Sequence, residues 1–209
     1  MGIALITSKM IAVFVGPGGM AYIGNFRNFI TSLEGISTLA FSSGVVKYVG
    51  ENEDKEKELT KIITTVLVTF LVFSTVLGFL IFVFSDFLCA KFFGNNLQYE
   101  IVFKVVAIVL PFSVVSVLFV SIINGLGSYS KLIYATIISN IVALVLTVLL
   151  IYEFKLVGAL LSIALNPTIL FTINFFYVPK ELQLLSRINL KLYDFSVIKK
   201  LSGFSIMIL

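Results

Sequence analysis

The sequence has no histidine and only one cysteine, Cys89. Without histidine a Ser-His-Asp triad cannot be assembled, which excludes acyl transfer of that type. A single cysteine cannot form an internal disulfide, and no Cys/His/Asp cluster has the spacing of metal ligands. The glycine-rich "GPGG" at 16–19 lacks the Lys-Ser/Thr of a phosphate-binding loop. We therefore expect that the protein is not an enzyme and has no metal site and no organic cofactor. A proton or ion that drives its function is the one exception that these residues allow.

Charged residues are also scarce. They make up 12% of the chain against 59% hydrophobic residues, and the mean hydropathy is +1.09. Soluble domains carry roughly 25% charged residues. This composition predicts an integral membrane protein, whose partners include membrane lipids and no nucleic acid.

Long apolar runs are what the chain has in abundance. A spanning helix needs about 20 apolar residues, and four stretches without a charge reach or approach that length: 62–84, 105–123, 132–152 and 156–178. Residues 19–46 are long enough to span with tilt, whereas 1–15 would rise only about 22 Å. The sequence therefore predicts an all-α polytopic bundle of about six transmembrane helices, plus the start of a seventh.

The segments after the sixth span set the expected domain organisation. Residues 179–200 mix apolar and basic side chains at helical spacing, which is typical of an interfacial amphipathic helix. The shorter segment 85–100 could lie in the opposite interface in the same way. Nine apolar residues, 201–209, are too few to cross a bilayer. We expect a six-helix lobe at 1–178, a cytoplasmic linker helix at 179–200 and the truncated start of a second lobe, hence the front half of a larger protein.

Basic residues are distributed unevenly between the loops. Ten of the fifteen follow the second, fourth and sixth spans, and only Lys91, Lys104 and Lys155 follow odd-numbered spans. Cytoplasmic loops carry the excess of Lys and Arg. The even-numbered loops and both chain ends are therefore predicted to be cytoplasmic.

Two cations lie inside the predicted spans, on either side of the Gly-Pro turn at 16–17. If that turn joins two antiparallel helices, Lys9 and Arg27 lie at a similar depth, about 10 to 12 Å below the outer surface. Asn25 and Asn28 make a polar patch beside Arg27. Each cation could extend along its own stem to the headgroups. Alternatively, the four side chains form a substrate-binding wall of an aqueous cavity, because intramembrane charges usually face a cavity or a partner.

Glu34 follows Arg27 by seven residues, about 10 Å along the helix axis. That distance is too long for a direct salt bridge. The small and polar residues around Glu34 either allow close helix packing or line a cavity in which a desolvated Glu34 takes up a proton. Glu34 is our candidate for proton or ion coupling.

Prolines and asparagines add further polar or flexible points within the spans. Pro111 and Pro167 are predicted hinges, because proline removes a backbone hydrogen bond and kinks a helix. Four amides lie in or beside the spans, and each could join helices or contact cargo: Asn124, Asn140, Asn166 and Asn174.

The opening of the chain resembles a known family. "KMIAVFVGPGGMAYIGNFRNFI" followed by "SSGVVKYVGE" is similar to the opening of bacterial O-antigen and enterobacterial-common-antigen flippases. These form the polysaccharide-export branch of the multidrug/oligosaccharidyl-lipid/polysaccharide exporter superfamily. Later stretches, "FFGNN" and "VGALLSIALNP", fall where the family has similar ones.

The resemblance implies one lobe of a two-lobe transporter in the bacterial inner membrane. Such a carrier moves undecaprenyl-pyrophosphate-linked O-antigen or related units to the periplasmic leaflet by alternating access, in lipopolysaccharide biosynthesis. Lys9 and Arg27 match basic positions in the family's opening motifs and would face a cationic cavity. A polysaccharide polymerase and chain-length proteins are implied partners.

Two other functions are kept as alternatives. A drug or cation exporter of the same superfamily should line this lobe with acidic residues, whereas the intramembrane balance here is two cations to one acid. A truncated remnant that transports nothing is the third hypothesis.

Overall fold

The computed structural model describes residues 2–94, 96–177 and 189–208. In these ranges the chain forms helices and no strand, which confirms the all-α prediction. The helices are α1 Gly2–Ser37, α2 Ser42–Glu51, α3 Glu56–Val83, α4 Ser85–Phe93, α5 Glu100–Gly125, α6 Tyr129–Tyr177 and α7 Phe195–Ile208. Two 3₁₀ turns, Leu97–Tyr99 and Leu190–Leu192, precede α5 and α7.

Among the described helices, three are long and apolar enough to cross a membrane singly. They are α3, α5 with the turn before it, and α6. A fourth crossing results if α1 from Gly18 onward and α2 are one span, bent by 46°. The predicted membrane helix bundle is confirmed, although the sequence predicts about six spans. The predicted fifth span and residues 156–177 of the predicted sixth span both lie within α6.

Helix α6 is broken at Lys155, whose backbone is non-helical (φ 49°, ψ −121°). In a straight helix Leu150 and Gly158 would be about 12 Å apart along the axis. Instead, a Cβ on Gly158 would overlap the Leu150 carbonyl oxygen. The chain therefore folds back at Lys155, and the arms 129–154 and 156–177 each have roughly the length of a crossing.

Helix α1 has its own break, at Gly16. The φ of Gly16 is +74°, a conformation that glycine adopts without the steric cost of a side chain. This confirms that the chain turns at the Gly-Pro pair. The arm before it, 2–15, is not among the helices that could cross a membrane singly.

Two apolar clusters hold the helices together around α5, which packs against α2, α3 and α6. The first joins α1, α3, α4, α5 and α6, and it includes an edge-to-face contact of Phe26 with Phe103, with ring centroids 6.0 Å apart. The second joins α2, α3, α5 and α7 through fully buried side chains such as Ile63 and Leu201. Helix packing in lipid depends on such close van der Waals contact.

Residues 189–208, the described part of the segment predicted as a linker and a new lobe, pack on the bundle. Residues 178–188 lie outside the described residues, so the first half of the predicted linker helix is not described. Helix α7 runs continuously through residue 200, where the sequence predicts a boundary. Its Leu201 packs on Gly44 of α2, and Lys61 of α3 forms an ion pair of 2.5 Å with Asp194. α7 therefore bridges α2 and α3.

Candidate functional site

The break between α1 and α2 shapes the site. Leu39 and Ala40 have φ values of 51° and 53°, a left-handed conformation that costs roughly 1–2 kcal/mol per non-glycine residue. Surrounding contacts hold it: the Ala40 N–H donates to the Gly35 carbonyl at 3.0 Å, and the Ser205 hydroxyl of α7 donates to the Ala40 carbonyl at 3.2 Å. The sequence gives no glycine or proline signal for this break.

A cavity of about 500 Å³ lies beside the break, between α1, α2, α5 and both arms of α6. This volume is within the range of small-molecule sites. Most lining side chains carry a hydroxyl, amide or carboxylate: Glu34, Ser42, Ser43, Ser113, Ser116, Ser121, Asn124, Thr136, Ser139, Asn140 and Asn166. Val46, Val117, Val120, Pro167 and Leu170 complete the wall. Polar side chains thus line a cavity between helices that are otherwise apolar.

Glu34 is the only charged residue in this lining, within the described part of the chain. It is partly buried. The ion pairs among described residues join Lys47 to Glu51, Lys61 to Asp194 and Lys104 to Glu100, so none of them neutralises Glu34. Its backbone carbonyl accepts a hydrogen bond of 2.8 Å from the Thr38 hydroxyl. No described ion pair therefore compensates a charge on the Glu34 carboxyl group, which lies at the wall of the cavity.

Ser116 is the second unusual group in the wall. It is 2% exposed, and its hydroxyl has no hydrogen-bond partner among the described residues. By contrast, Ser113 donates to the Val109 carbonyl at 3.3 Å, and Ser121 donates to the Val117 carbonyl at 2.9 Å. Buried polar groups are nearly always paired, so the unpaired Ser116 hydroxyl is an exception among the serines of this wall.

The serines of α5 were not among the predicted site residues, although their spacing carries a signal. Positions 113, 116, 120 and 124 recur every three or four residues and thus share one face of a helix. Three of them are polar. A search for a polar stripe on an apolar span would have found this wall.

The predicted asparagines and prolines divide between the cavity and the core. Asn124, Asn140 and Asn166 line the cavity, whereas Asn174 is buried without a partner for either amide atom. Pro167 lines the cavity and Pro111 lies on α5 two residues before Ser113. The backbone is helical at both prolines, so their role as hinges stays a prediction.

The four predicted substrate-binding residues lie elsewhere. Lys9, Asn25, Arg27 and Asn28 are all exposed, and none of them lines the cavity. Phe26 turns in the other direction, fully buried against α5. The structure therefore places the predicted cations on an open surface of α1, apart from the cavity that Glu34 lines.

Comparison with known proteins places the chain in a family. Residues 27–209 match a family described as "Polysaccharide biosynthesis protein". The chain belongs to this family. It is also similar to two proteins named Lipid III flippase, from Escherichia coli (strain K12) and Shigella flexneri, each 28% identical over 219 residues. The alignments cover 100% of this chain and 50% of each relative, so the chain spans about half their length. No solved structure matches.

The family assignment confirms the resemblance seen in the opening motifs. The family match begins at Arg27 and continues through the cavity-lining helices to the end of α7. Lys9 and Asn25 precede the matched range and are covered by the alignments with the flippases.

Proposed function

We propose that this chain forms part of a transporter that moves lipid-linked oligosaccharides across the bacterial inner membrane. The observation that carries the proposal is the similarity of the whole chain to two lipid III flippases, together with its family. The membrane helices and the polar cavity support it physically. A glycan crossing a membrane must exchange its bonds to water for others, since an unpaired buried hydroxyl costs about 1–3 kcal/mol in proteins.

The cargo that we propose is an undecaprenyl-pyrophosphate-linked O-antigen or related repeat unit. Lys9 and Arg27 would contact the pyrophosphate, because hydrogen bonds between cationic side chains and phosphate oxygens are about twice as strong as neutral ones. Asn25 and Asn28 would bind sugar hydroxyls beside them. All four side chains are exposed, as a wall that meets a ligand requires.

The proposed mechanism is alternating access with a cytoplasmic amino terminus. The hydrophilic head would cross through protein while the lipid tail stays in the bilayer. Pro111 and Pro167 would permit bending, and Glu34 would couple the cycle to a proton or an ion. A polysaccharide polymerase and chain-length proteins would act on the delivered units. No reaction is assigned to the chain itself.

An exporter of drugs or other cations is the second candidate function. It is favoured by one observation, that the charge in the cavity wall is acidic. The two functions differ in which charge is indispensable, Arg27 for an anionic pyrophosphate or Glu34 for a cationic drug.

Complementation tests the proposal. The gene product carrying this chain is expressed in bacteria that lack their own lipid-linked oligosaccharide flippase, and surface polysaccharide is measured on gels. We expect Arg27→Ala and Lys9→Ala to reduce it at least tenfold and Arg27→Lys to retain part of it. Lys57→Ala is the matched control, because it also removes a positive charge but at an exposed residue in the first turn of α3.

Membrane fractionation accompanies each variant, so that loss of insertion is not mistaken for loss of transport. Normal surface polysaccharide in both Arg27→Ala and Lys9→Ala would remove the proposed role of these residues. Unchanged drug resistance in the same cells would count against an exporter.

A further inference from the structure

We propose that the start of α7 and the 3₁₀ turn before it form a docking surface for anionic phospholipids. This lipid-docking surface consists of three apolar and three basic residues: Leu190, Tyr193, Phe195, Lys191, Lys199 and Lys200. The apolar side chains enter the boundary between headgroups and acyl chains, and the lysines bind the lipid phosphates. This binding does not depend on the cargo proposed above.

The first step is the depth of this surface in the bilayer. Asp194 lies within it and is held by α3: its carboxylate pairs with Lys61 at 2.5 Å, and its backbone N–H donates to the Thr65 hydroxyl at 3.1 Å. Helix α3 is long and apolar enough to cross a membrane, and Lys61 is the last charged residue before its uncharged run, 62–84. The two contacts therefore hold the surface where α3 enters the hydrocarbon, at the level of the headgroups.

The second step is the exposure of the apolar side chains. Leu190 and Phe195 are each 70% exposed, and Tyr193 is 43% exposed. At the end of a span, aromatic side chains are enriched because their rings suit the boundary between water and lipid. An apolar surface at this level strengthens membrane contact in proportion to the area that it buries. Lipid is therefore the partner that fits these three side chains.

The third step is the charge. Lys191, Lys199 and Lys200 are exposed, and none of them forms an ion pair with a described acidic residue. Asp194 is the one acidic residue between positions 189 and 208, and Lys61 neutralises it. Basic residues close to a bilayer attract anionic lipids. The three lysines therefore favour anionic over zwitterionic headgroups.

The fourth step is the arrangement on α7. Val197 and Leu201 are buried in the cluster with α2 and α3. Phe195 and Lys199 are four residues apart, so they share the opposite side of the helix, and both are exposed. Lysine can lay its apolar stem along lipid while its ammonium stays among the phosphates. When the Phe195 ring enters the bilayer, Lys199 is thus already at the headgroups.

A second group of lysines lacks these properties and supplies the control. Residues 51–58 contain Lys55 and Lys57, five acidic residues and no apolar residue. Both lysines are exposed. An anionic lipid would meet an excess of negative charge there and no apolar side chain, so we expect no docking at 51–58.

Fluorescence quenching by brominated lipids tests the inference. The 209 residues contain no tryptophan, so Phe195→Trp places a reporter on the lipid-docking surface, and the gene product without this substitution supplies the background. The purified gene product is reconstituted in liposomes that contain either brominated phosphatidylglycerol or brominated phosphatidylcholine, with no lipid-linked oligosaccharide. From the quenching, we expect phosphatidylglycerol to bind beside the indole roughly threefold more strongly or better.

Lysine variants show where the preference arises. Lys199→Gln combined with Lys200→Gln should make the two lipids bind about equally, whereas Lys55→Gln combined with Lys57→Gln should leave the preference unchanged. Salt is a second test that needs no lysine variant, and it decides if the first pair misfolds. Raising NaCl from about 0.01 M to 1 M shortens the Debye length from about 30 Å to 3 Å and should reduce the preference.

Three results would overturn the inference: no quenching by either brominated lipid, equal quenching by both, or a preference for phosphatidylglycerol that neither the loss of Lys199 and Lys200 nor salt reduces. Because the assay contains no oligosaccharide and measures no transport, its outcome is separate from the proposed function. A chain that selects phosphatidylglycerol but moves no lipid-linked oligosaccharide would contradict only that function.

Discussion

Arg27 and Glu34 lie on α1 about two helical turns apart, so they leave the helix in nearly the same direction. Arg27 is exposed, whereas Glu34 lines a cavity together with residues of α2, α5 and both arms of α6. The environments differ because other helices face this side of α1 at the level of Glu34 and leave it exposed at the level of Arg27. The sequence predicts that both charges face one cavity, whereas in the structure they occupy two sites, Arg27 an exposed surface and Glu34 the wall of a cavity between helices.

The largest expected effect concerns the buried side of α1. Phe26→Ala should lower the free energy of unfolding by about 3–5 kcal/mol, because it removes a fully buried ring from the cluster around Phe103. Arg27→Ala, at the next residue, should change the free energy of unfolding by no more than about 0.5 kcal/mol, because Arg27 is exposed. Unfolding in mixed micelles measures both. Equal losses would mean that Arg27 is a structural residue and that the open surface has no separate role.

A smaller effect concerns α7, which supports the break at Leu39 and Ala40 through the hydrogen bond from Ser205 and is preceded by Asp194. The hydrogen bond from Lys61, with that from the Ser196 N–H at 2.7 Å, lowers the pKa of Asp194 to about 2. Because the pKa is lower in the folded state than the ordinary value of about 3.9, the stabilisation is present above pH 4 and disappears as the pH falls towards 2.

Hydrogen exchange of α7 measures this pH dependence. Protection of α7 should weaken between pH 5 and pH 2.5 in the wild type, because below about pH 4 Asp194 takes up a proton in the unfolded state while it is still mostly ionised in the folded state. Asp194→Asn should show weaker protection at pH 5 and a smaller change with pH. A wild-type α7 equally protected at both pH values would indicate that apolar burial of Leu201 alone holds it in place.

The sequence predicts the elements that depend on composition. Uninterrupted apolar runs locate α3 and α5, and the Gly-Pro pair locates the break at Gly16. The charged Glu153 and Lys155 mark the place where α6 turns back. These features are local, because hydropathy and backbone preference act over a few residues.

Other features could not be predicted because tertiary contacts produce them. Leu39 and Ala40 have no preference for positive φ, and a hydrogen bond from Ser205, 165 residues later in the chain than Ala40, helps to hold that break. Whether Glu34 faces lipid or a cavity depends on α5 and α6. Helical spacing alone predicts that Arg27 and Glu34 share one face of α1. Their different environments result from the packing of neighbouring helices, which that spacing does not predict.

Flipping by purified protein tests the central claim most directly. The gene product is reconstituted in liposomes with a lipid-linked oligosaccharide, and an impermeant lectin added outside reports how much glycan has reached the outer leaflet over time. The account predicts that the wild type delivers glycan at least tenfold faster than protein-free liposomes and that Arg27→Ala falls close to their rate. A folded wild type no faster than protein-free liposomes would contradict the account.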